Sequence, residues 1–243
     1  MTSTTPQDSR VANALSAESS SIRLQAALAV GSGADADYTE LLIERCAIEP
    51  DFFVRDMLSW ALTRLPSETV LPRLHRELCS GGDQARSQAL HTLSKIGDKS
   101  AWPWITREML DDPDDGVART AWRTAVVLVP EDEKASLAED LARQLGRGDR
   151  GVQRSLSRAL IDLGEFAAPV LEKAAQSLDP RMAAHARATE LLRQDPESGF
   201  EAAISEARLM LTPGASSGKE PDAGMVGVES RVEPMGVQET MDC

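Results

Sequence analysis

The chain has 243 residues, a formal net charge of −13 at pH 7, and 42% hydrophobic but only 4% aromatic residues. That length allows a sizeable core, which Ala and Leu must fill in place of rings. The excess of acid argues against a duplex nucleic-acid binder, since a long polyanion is repelled by such a surface, and no stretch approaches the roughly 18 uninterrupted apolar residues of a membrane span.

In chain order, residues 1–18 are Ser/Thr-rich and weakly patterned, and are expected to be disordered. They show no apolar run behind a basic start, so no signal peptide is expected. Cys46, Cys79 and Cys243 form no CxxC pair, which fits a reducing cytoplasm. From residue 19 onward a period emerges. Arg23, Arg55, Arg86 and Arg119 stand about 32 residues apart, and Gln153 and Ala183 continue the ladder. Unit one carries Arg23, Ala26, Val30 and Gly33, then Leu41, Leu42 and Cys46. Unit two opens at Asp51 with Val54, Arg55, Leu58 and Leu62, then Pro72, Leu74 and Leu78. Unit three opens at Asp83 with Arg86, Ala89 and Leu93, then Pro103, Ile105 and Met109. Unit four opens at Asp115 with Arg119, Trp122 and Val126, then Leu137, Leu141 and Leu145. Unit five opens at Asp149 with Val152, Gln153, Leu156 and Leu160, then Pro169 and Leu171. A sixth start appears at Asp179-Pro180.

Apolar residues at steps of three and four mark one face of a helix. An opening Asp can cap the first-turn N–H groups, and Gly or Pro ends the segment. Each unit therefore reads as helix–turn–helix. A lone helix pair cannot bury its apolar faces, so the units must stack. Residues 197–211, with Phe200, Ile204 and Leu211, read as a closing helix. Residues 213–243 have no helical period and read as a disordered acidic tail.

The paired helices, the Asp-x-x-Val-Arg opening and the Pro-x-Leu start of the second helix resemble HEAT repeats, in the short variety also found in phycobilin lyases. The resemblance covers about residues 19–195. It implies an all-α, right-handed α-solenoid of five to six repeats, with second helices lining a concave face and the Asp and Arg residues linking neighbouring units. Gln153 and Ala183 depart from the Arg. The Trp/Gly/Tyr pattern of tetratricopeptide repeats is absent.

Recognisable chemistry is sparse. His75, His91 and His185 have no metal-ligand spacing. Deoxyhypusine hydroxylases, which are HEAT-like di-iron enzymes, present His-Glu pairs, whereas here Arg76 follows His75. Gly31-Ser-Gly33 lacks the Lys of a P-loop. No catalytic, metal or cofactor residue is therefore assigned. Cys46 aligns with Leu78 and Leu141 and is expected in the core, and Cys79 is expected to be packed. Trp122 and Trp102 align with core positions.

Trp104 aligns with Arg73, and Trp60 with His91, Thr124 and Arg158, so both rings are expected to be partly exposed. Exposed aromatics are enriched at binding hot spots, although such rings can also simply cover gaps between units. Arg73, Arg76 and Arg107 would favour an acidic or phosphorylated segment. The leading expectation is a non-enzymatic scaffold that grips a protein or peptide, with Trp104, Arg73, Arg76, Arg107, Trp60 and His91 as candidate contacts and no direct nucleic-acid or membrane partner. A lyase-like enzyme or accessory subunit, by analogy of fold, and a module acting beside a nucleic-acid-binding protein are the alternatives.

Overall fold

The helix starts follow from side-chain capping. Asp51 Oδ1 accepts from the N–H groups of Phe53 and Val54 at 2.9 and 3.1 Å. Asp114 serves Gly116 and Val117 in the same way, Asp149 serves Val152, and Asp179 serves Arg181. Each bond satisfies a donor with no partner inside the helix. Two caps differ from expectation. In unit four Asp114 is the cap, and Asp115 stands one residue inside. In unit three Gly82 takes the cap position, while Asp83 binds Arg86 at 2.7 Å.

The computed structural model describes residues 6–196 and 199–211. Its helices are α1 (Pro6–Leu15), α2 (Ser20–Gly33), α3 (Thr39–Ile48), α4 (Phe52–Thr63), α5 (Ser67–Ser80), α6 (Asp83–Ile96), α7 (Arg107–Leu110), α8 (Asp115–Leu128), α9 (Lys134–Ala142), α10 (Arg150–Asp162), α11 (Ala167–Ala174), α12 (Pro180–Gln194) and α13 (Phe200–Leu211). Strands are absent among the described residues. The expected tail over 213–243, with Cys243, lies outside them.

The first helices α2, α4, α6, α8, α10 and α12 pack one on the next. The second helices do the same, α3 on α5 and α7 on α9 on α11, and each unit's second helix also touches the next unit's first helix. The result is an all-α stack of helix pairs in two layers. Leu42, Leu58, Leu74, Leu90, Leu141 and Leu156 are fully buried between the layers. Each such side chain contributes about 1.5–3 kcal/mol by leaving water. One continuous core runs from Leu15 to Ala186, and a second cluster around Phe200 and Ile204 seals α13 onto α12.

Several expectations need correction. Residues 6–15 are not disordered: α1 packs on α2, and Leu15 is buried in the core with Val11 beside it. That four-residue apolar step is a helical face which the Ser/Thr-rich composition obscured. The closing helix starts at Phe200, and α5 starts at Ser67, leaving Pro72 inside it. The second half of unit three is not one helix. Lys99–Trp104 forms a 3-10 turn, and only Arg107–Leu110 follows as α-helix. Pro103 offers no N–H to an α-helical ladder. The phase then shifts, so Leu110 rather than Met109 is the fully buried residue. Cys46 is buried as expected, but Cys79 is exposed, because Leu78 next to it takes the inward position. Trp122 is fully buried and donates its indole N–H to the Leu110 carbonyl at 2.9 Å.

The arginine ladder ties units together at its N-terminal end. Arg23 makes two hydrogen bonds to the buried carboxylate of Glu49, at 2.8 and 2.7 Å, and donates to the carbonyls of Ala17 and Glu18. Arg55 caps the Glu49 and Pro50 carbonyls, and Arg86 reaches Asp112 at 3.0 Å. Where the arginine lapses, a different device takes over. His185 Nδ1 accepts from the Gly146 N–H at 3.0 Å, so Nε2 carries the proton and donates to the Gln153 carbonyl at 3.0 Å. Ser157 Oγ lies 3.0 Å from the same Nε2 and 2.7 Å from Thr189 Oγ1. Related hydroxyl contacts join other neighbouring first helices: Thr92 to Ser59, Ser87 to Thr120, and Thr124 to the Leu90 carbonyl.

Candidate interaction surfaces

Trp104 closes the 3-10 turn of unit three and is half-buried. Its ring stacks on His75 of α5, with centroids 4.6 Å apart and planes 17° from parallel. The ring also packs against the core, so it spans the joint between units two and three and leaves one side to solvent.

The arginines expected around it are mostly engaged within the fold. Arg73 forms an ion pair with Glu40 of α3, and burial, then the charge of Arg76, lowers its pKa. Arg107 pairs with Asp140 of α9 at 2.8 Å, and Asp140 also holds Arg143. Both therefore tie adjacent units together. Arg76 lies exposed on α5.

Trp60 and His91 belong to the other layer, on α4 and α6. A Cβ added at Gly31 of α2 would sit 2.5 Å from the Trp60 ring, so Trp60 fills the space that glycine leaves between two close helices. His91 Nε2 stands 3.5 Å from Asp56, which Lys95 also contacts at 2.6 Å. Burial pushes the His91 pKa down, followed by the charge of Lys95, while Asp56 opposes them. The six candidates thus do not converge. Arg73, Arg76 and Trp104 share one stretch of the second-helix layer, Arg107 bridges onward to α9, and Trp60 and His91 occupy first-helix seams.

Two grooves open beside α11. One, of about 560 Å³, runs between α9 and α11, with Ala142, Val170 and Met182 as apolar lining and Glu139, Arg143 and Lys173 as charged lining. The other, of about 460 Å³, has Leu171, Leu191 and Met210 with Glu172, Arg187 and Glu190. Their residues come from units four to six, away from Trp104. Among the described residues, no cluster of three or more His, Cys, Asp or Glu is placed to hold a metal ion. No helix among them is long and apolar enough to cross a membrane.

The sequence reading missed a cleft of about 610 Å³ in the first-helix layer. Arg119 and Arg123 of α8 and Arg154 and Arg158 of α10 line it, each pair four residues apart and so on one helix face. The signal was legible as two Arg-x-x-x-Arg spacings on successive first helices, one residue out of register with each other. It belongs to a wider segregation of charge. The six first helices hold twelve basic and five acidic residues, although the chain as a whole stands at −13.

No protein-family model matches the chain, and no curated protein matches it. Solved structures similar to it include an engineered protein at 18% identity, covering 82% of this chain and 96% of that one, with a TM-score of 0.40. A designed armadillo repeat protein, YIII(Dq)4CqI, is 15% identical over 82% of this chain and 98% of its own, with a TM-score of 0.37. The complex of CpcE and CpcF of phycocyanin lyase from Nostoc sp. PCC7120 is 16% identical over 87% of this chain and 96% of that chain, also at 0.37. At these TM-scores the likeness carries no functional argument, and the architecture rests on the chain's own order of helices.

Proposed function

We propose that the chain is a non-catalytic interaction scaffold whose second-helix layer binds a protein or peptide segment. The observation that carries this reading is the groove between α9 and α11. Its lining combines apolar Ala142, Val170 and Met182 with charged Glu139, Arg143 and Lys173. Apolar lining can receive a side chain, while charged groups beside it fix orientation. Trp104, half-buried on the same layer, supplies an aromatic anchor toward the other end of the stack. The preference for an acidic partner is not assigned to this face, because Arg73 and Arg107 already hold Glu40 and Asp140.

The test is recovery of bound proteins from native lysate by the wild-type chain, by Val170→Glu and by Trp104→Ala. The expected result is loss of the same proteins by Val170→Glu and weaker recovery by Trp104→Ala. Undiminished recovery by both variants removes this face from consideration. No specific observation favours the lyase-like alternative or the module acting beside a nucleic-acid-binding protein.

A further inference from the structure

Within the first-helix cleft, positive charge exceeds negative charge. Arg119, Arg123, Arg154 and Arg158 line it, and Asp162 is the one acidic residue among its lining. Among the described residues, Arg119, Arg123 and Arg158 form no ion pair, and Arg154 comes no nearer than 4.0 Å to Glu201. Arg119 is oriented across the helix seam by donating from Nε to Ser155 Oγ at 2.9 Å. Arg123 makes only a long contact, 3.4 Å, to Thr120 Oγ1. This contrasts with Arg23, Arg73, Arg86, Arg107 and Arg147, each of which holds a carboxylate. In a chain with 39 acidic residues against 26 basic ones, acids are plentiful, yet four guanidiniums gather in a cleft whose lining holds a single one. Burial, then the neighbouring Arg119, lowers the pKa of Arg123, as expected for a cation crowded by like charge.

We infer that this cleft is an anion site that takes a phosphorylated side chain of a short peptide segment. A phosphate brings nearly two negative charges and three acceptor oxygens, enough to satisfy several guanidiniums at once, and guanidinium forks match it geometrically. A lone carboxylate meets at most two of them. The cleft also contains Ile161, Leu192 and Phe200, an apolar wall for a residue flanking the phosphate. Its volume lies within the ordinary range for a discrete pocket, about 300–1,000 Å³. A long nucleic acid fits less well, since a polyanion continuing past the cleft meets a strongly acidic molecule.

The site lies in the layer opposite the second-helix grooves, so the two readings fail separately. The test uses beads carrying phosphoserine-centred peptides with randomised flanks, and beads with the unphosphorylated twins, at about 0.15 M salt. The wild-type chain is expected to be retained at least about tenfold better on the phosphorylated beads, a difference suited to charge-assisted hydrogen bonds. Arg123→Glu with Arg158→Glu is expected to abolish that difference, and Val170→Glu to leave it unchanged. Arg123→Gln with Arg158→Gln serves if circular dichroism shows that the glutamate variant has lost its helices. Equal retention on both kinds of bead overturns the proposal. So does undiminished retention of a folded arginine variant, or tighter binding of a short DNA duplex than of the phosphopeptides under the same conditions.

Discussion

Arg23 and Glu49 meet through two hydrogen bonds across 26 residues of chain, and Arg86 reaches Asp112 across the same interval. In both cases an arginine on a first helix holds a carboxylate at the junction with the next unit. The two pairs differ on the arginine side. Both carboxylates are enclosed, and Glu49 also holds Arg45, but Arg23 is 7% exposed and Arg86 28%.

That difference sets the first prediction. Glu49→Ala leaves the buried Arg23 guanidinium without its partner and should cost about 3–5 kcal/mol in chemical denaturation. Arg86→Ala should cost less, about 1–3 kcal/mol, because Arg86 is partly exposed and the enclosed Asp112 carboxylate still accepts from the Asp114 N–H. Similar losses for the two variants would contradict this reading.

Glu49 also predicts acid sensitivity. Burial alone would raise its pKa, but hydrogen bonds from Arg23, the Asp51 N–H and Arg45 overcome that and hold it at about 2, below the usual 4.5. A carboxylate depressed in the fold contributes stability above its unfolded pKa and loses it as pH falls toward the folded value. The wild-type denaturation midpoint should therefore drop between about pH 4.5 and 2, and more steeply than that of Glu49→Gln.

His185 adds a second window at higher pH. Burial pushes its pKa down to about 4, partly opposed by the bond to the Gln153 carbonyl. The unfolded chain takes up this proton near 6.5 and the folded chain resists it, so stability should decline as pH falls from about 6.5 toward 4. His185→Gln should be less stable at neutral pH and flatter across that window. Denaturation midpoints at pH 7, 6 and 5 provide the check, and equal slopes for the two proteins would count against the tautomer and burial described above.

The Gly31–Trp60 contact predicts a packing defect. A Cβ at residue 31 would approach the Ala61 Cα at 2.9 Å as well as the Trp60 ring, so α2 and α4 would have to separate. Gly31→Ala should destabilise the fold by about 1–3 kcal/mol, despite alanine's better helix propensity. Tryptophan emission and thermal denaturation would report the shift, and a stabilised variant would rule out the close approach.

The two described cysteines should react differently. Burial pushes the Cys46 thiol up to about 12, with Ser59 opposing, while Cys79 is exposed. Only a thiolate attacks alkylating reagents readily. Native labelling mapped by mass spectrometry should modify Cys79 quickly and Cys46 only after unfolding. Equal rates would mean that unit one opens under native conditions.

The architecture was legible because apolar spacing, capping aspartates and the arginine period all repeat with the helix pair. Errors fell where a single residue overrode the repeat: Pro103 breaking the second half of unit three, and the Val11–Leu15 step hidden in a polar segment. The proposed contacts were less legible for a physical reason. Alignment within a repeat tells which face a side chain occupies, but not what the neighbouring unit offers it. Arg73 read as available, yet Glu40 on the preceding unit holds it. The clustering of Arg119, Arg123, Arg154 and Arg158 likewise required two helices to be brought side by side.

The concentration of positive charge on the first helices has a consequence for how the protein meets others. The six first helices carry seven more positive than negative charges, and the remaining residues of the chain, with fourteen basic and thirty-four acidic side chains, carry the opposite excess. The second helices α3, α5, α7, α9 and α11 hold six basic and eight acidic residues, so the total charge poorly describes the field beside the first-helix layer. An acidic surface is repelled by the molecule at long distance and favoured at close range beside the first helices, and added salt weakens both effects.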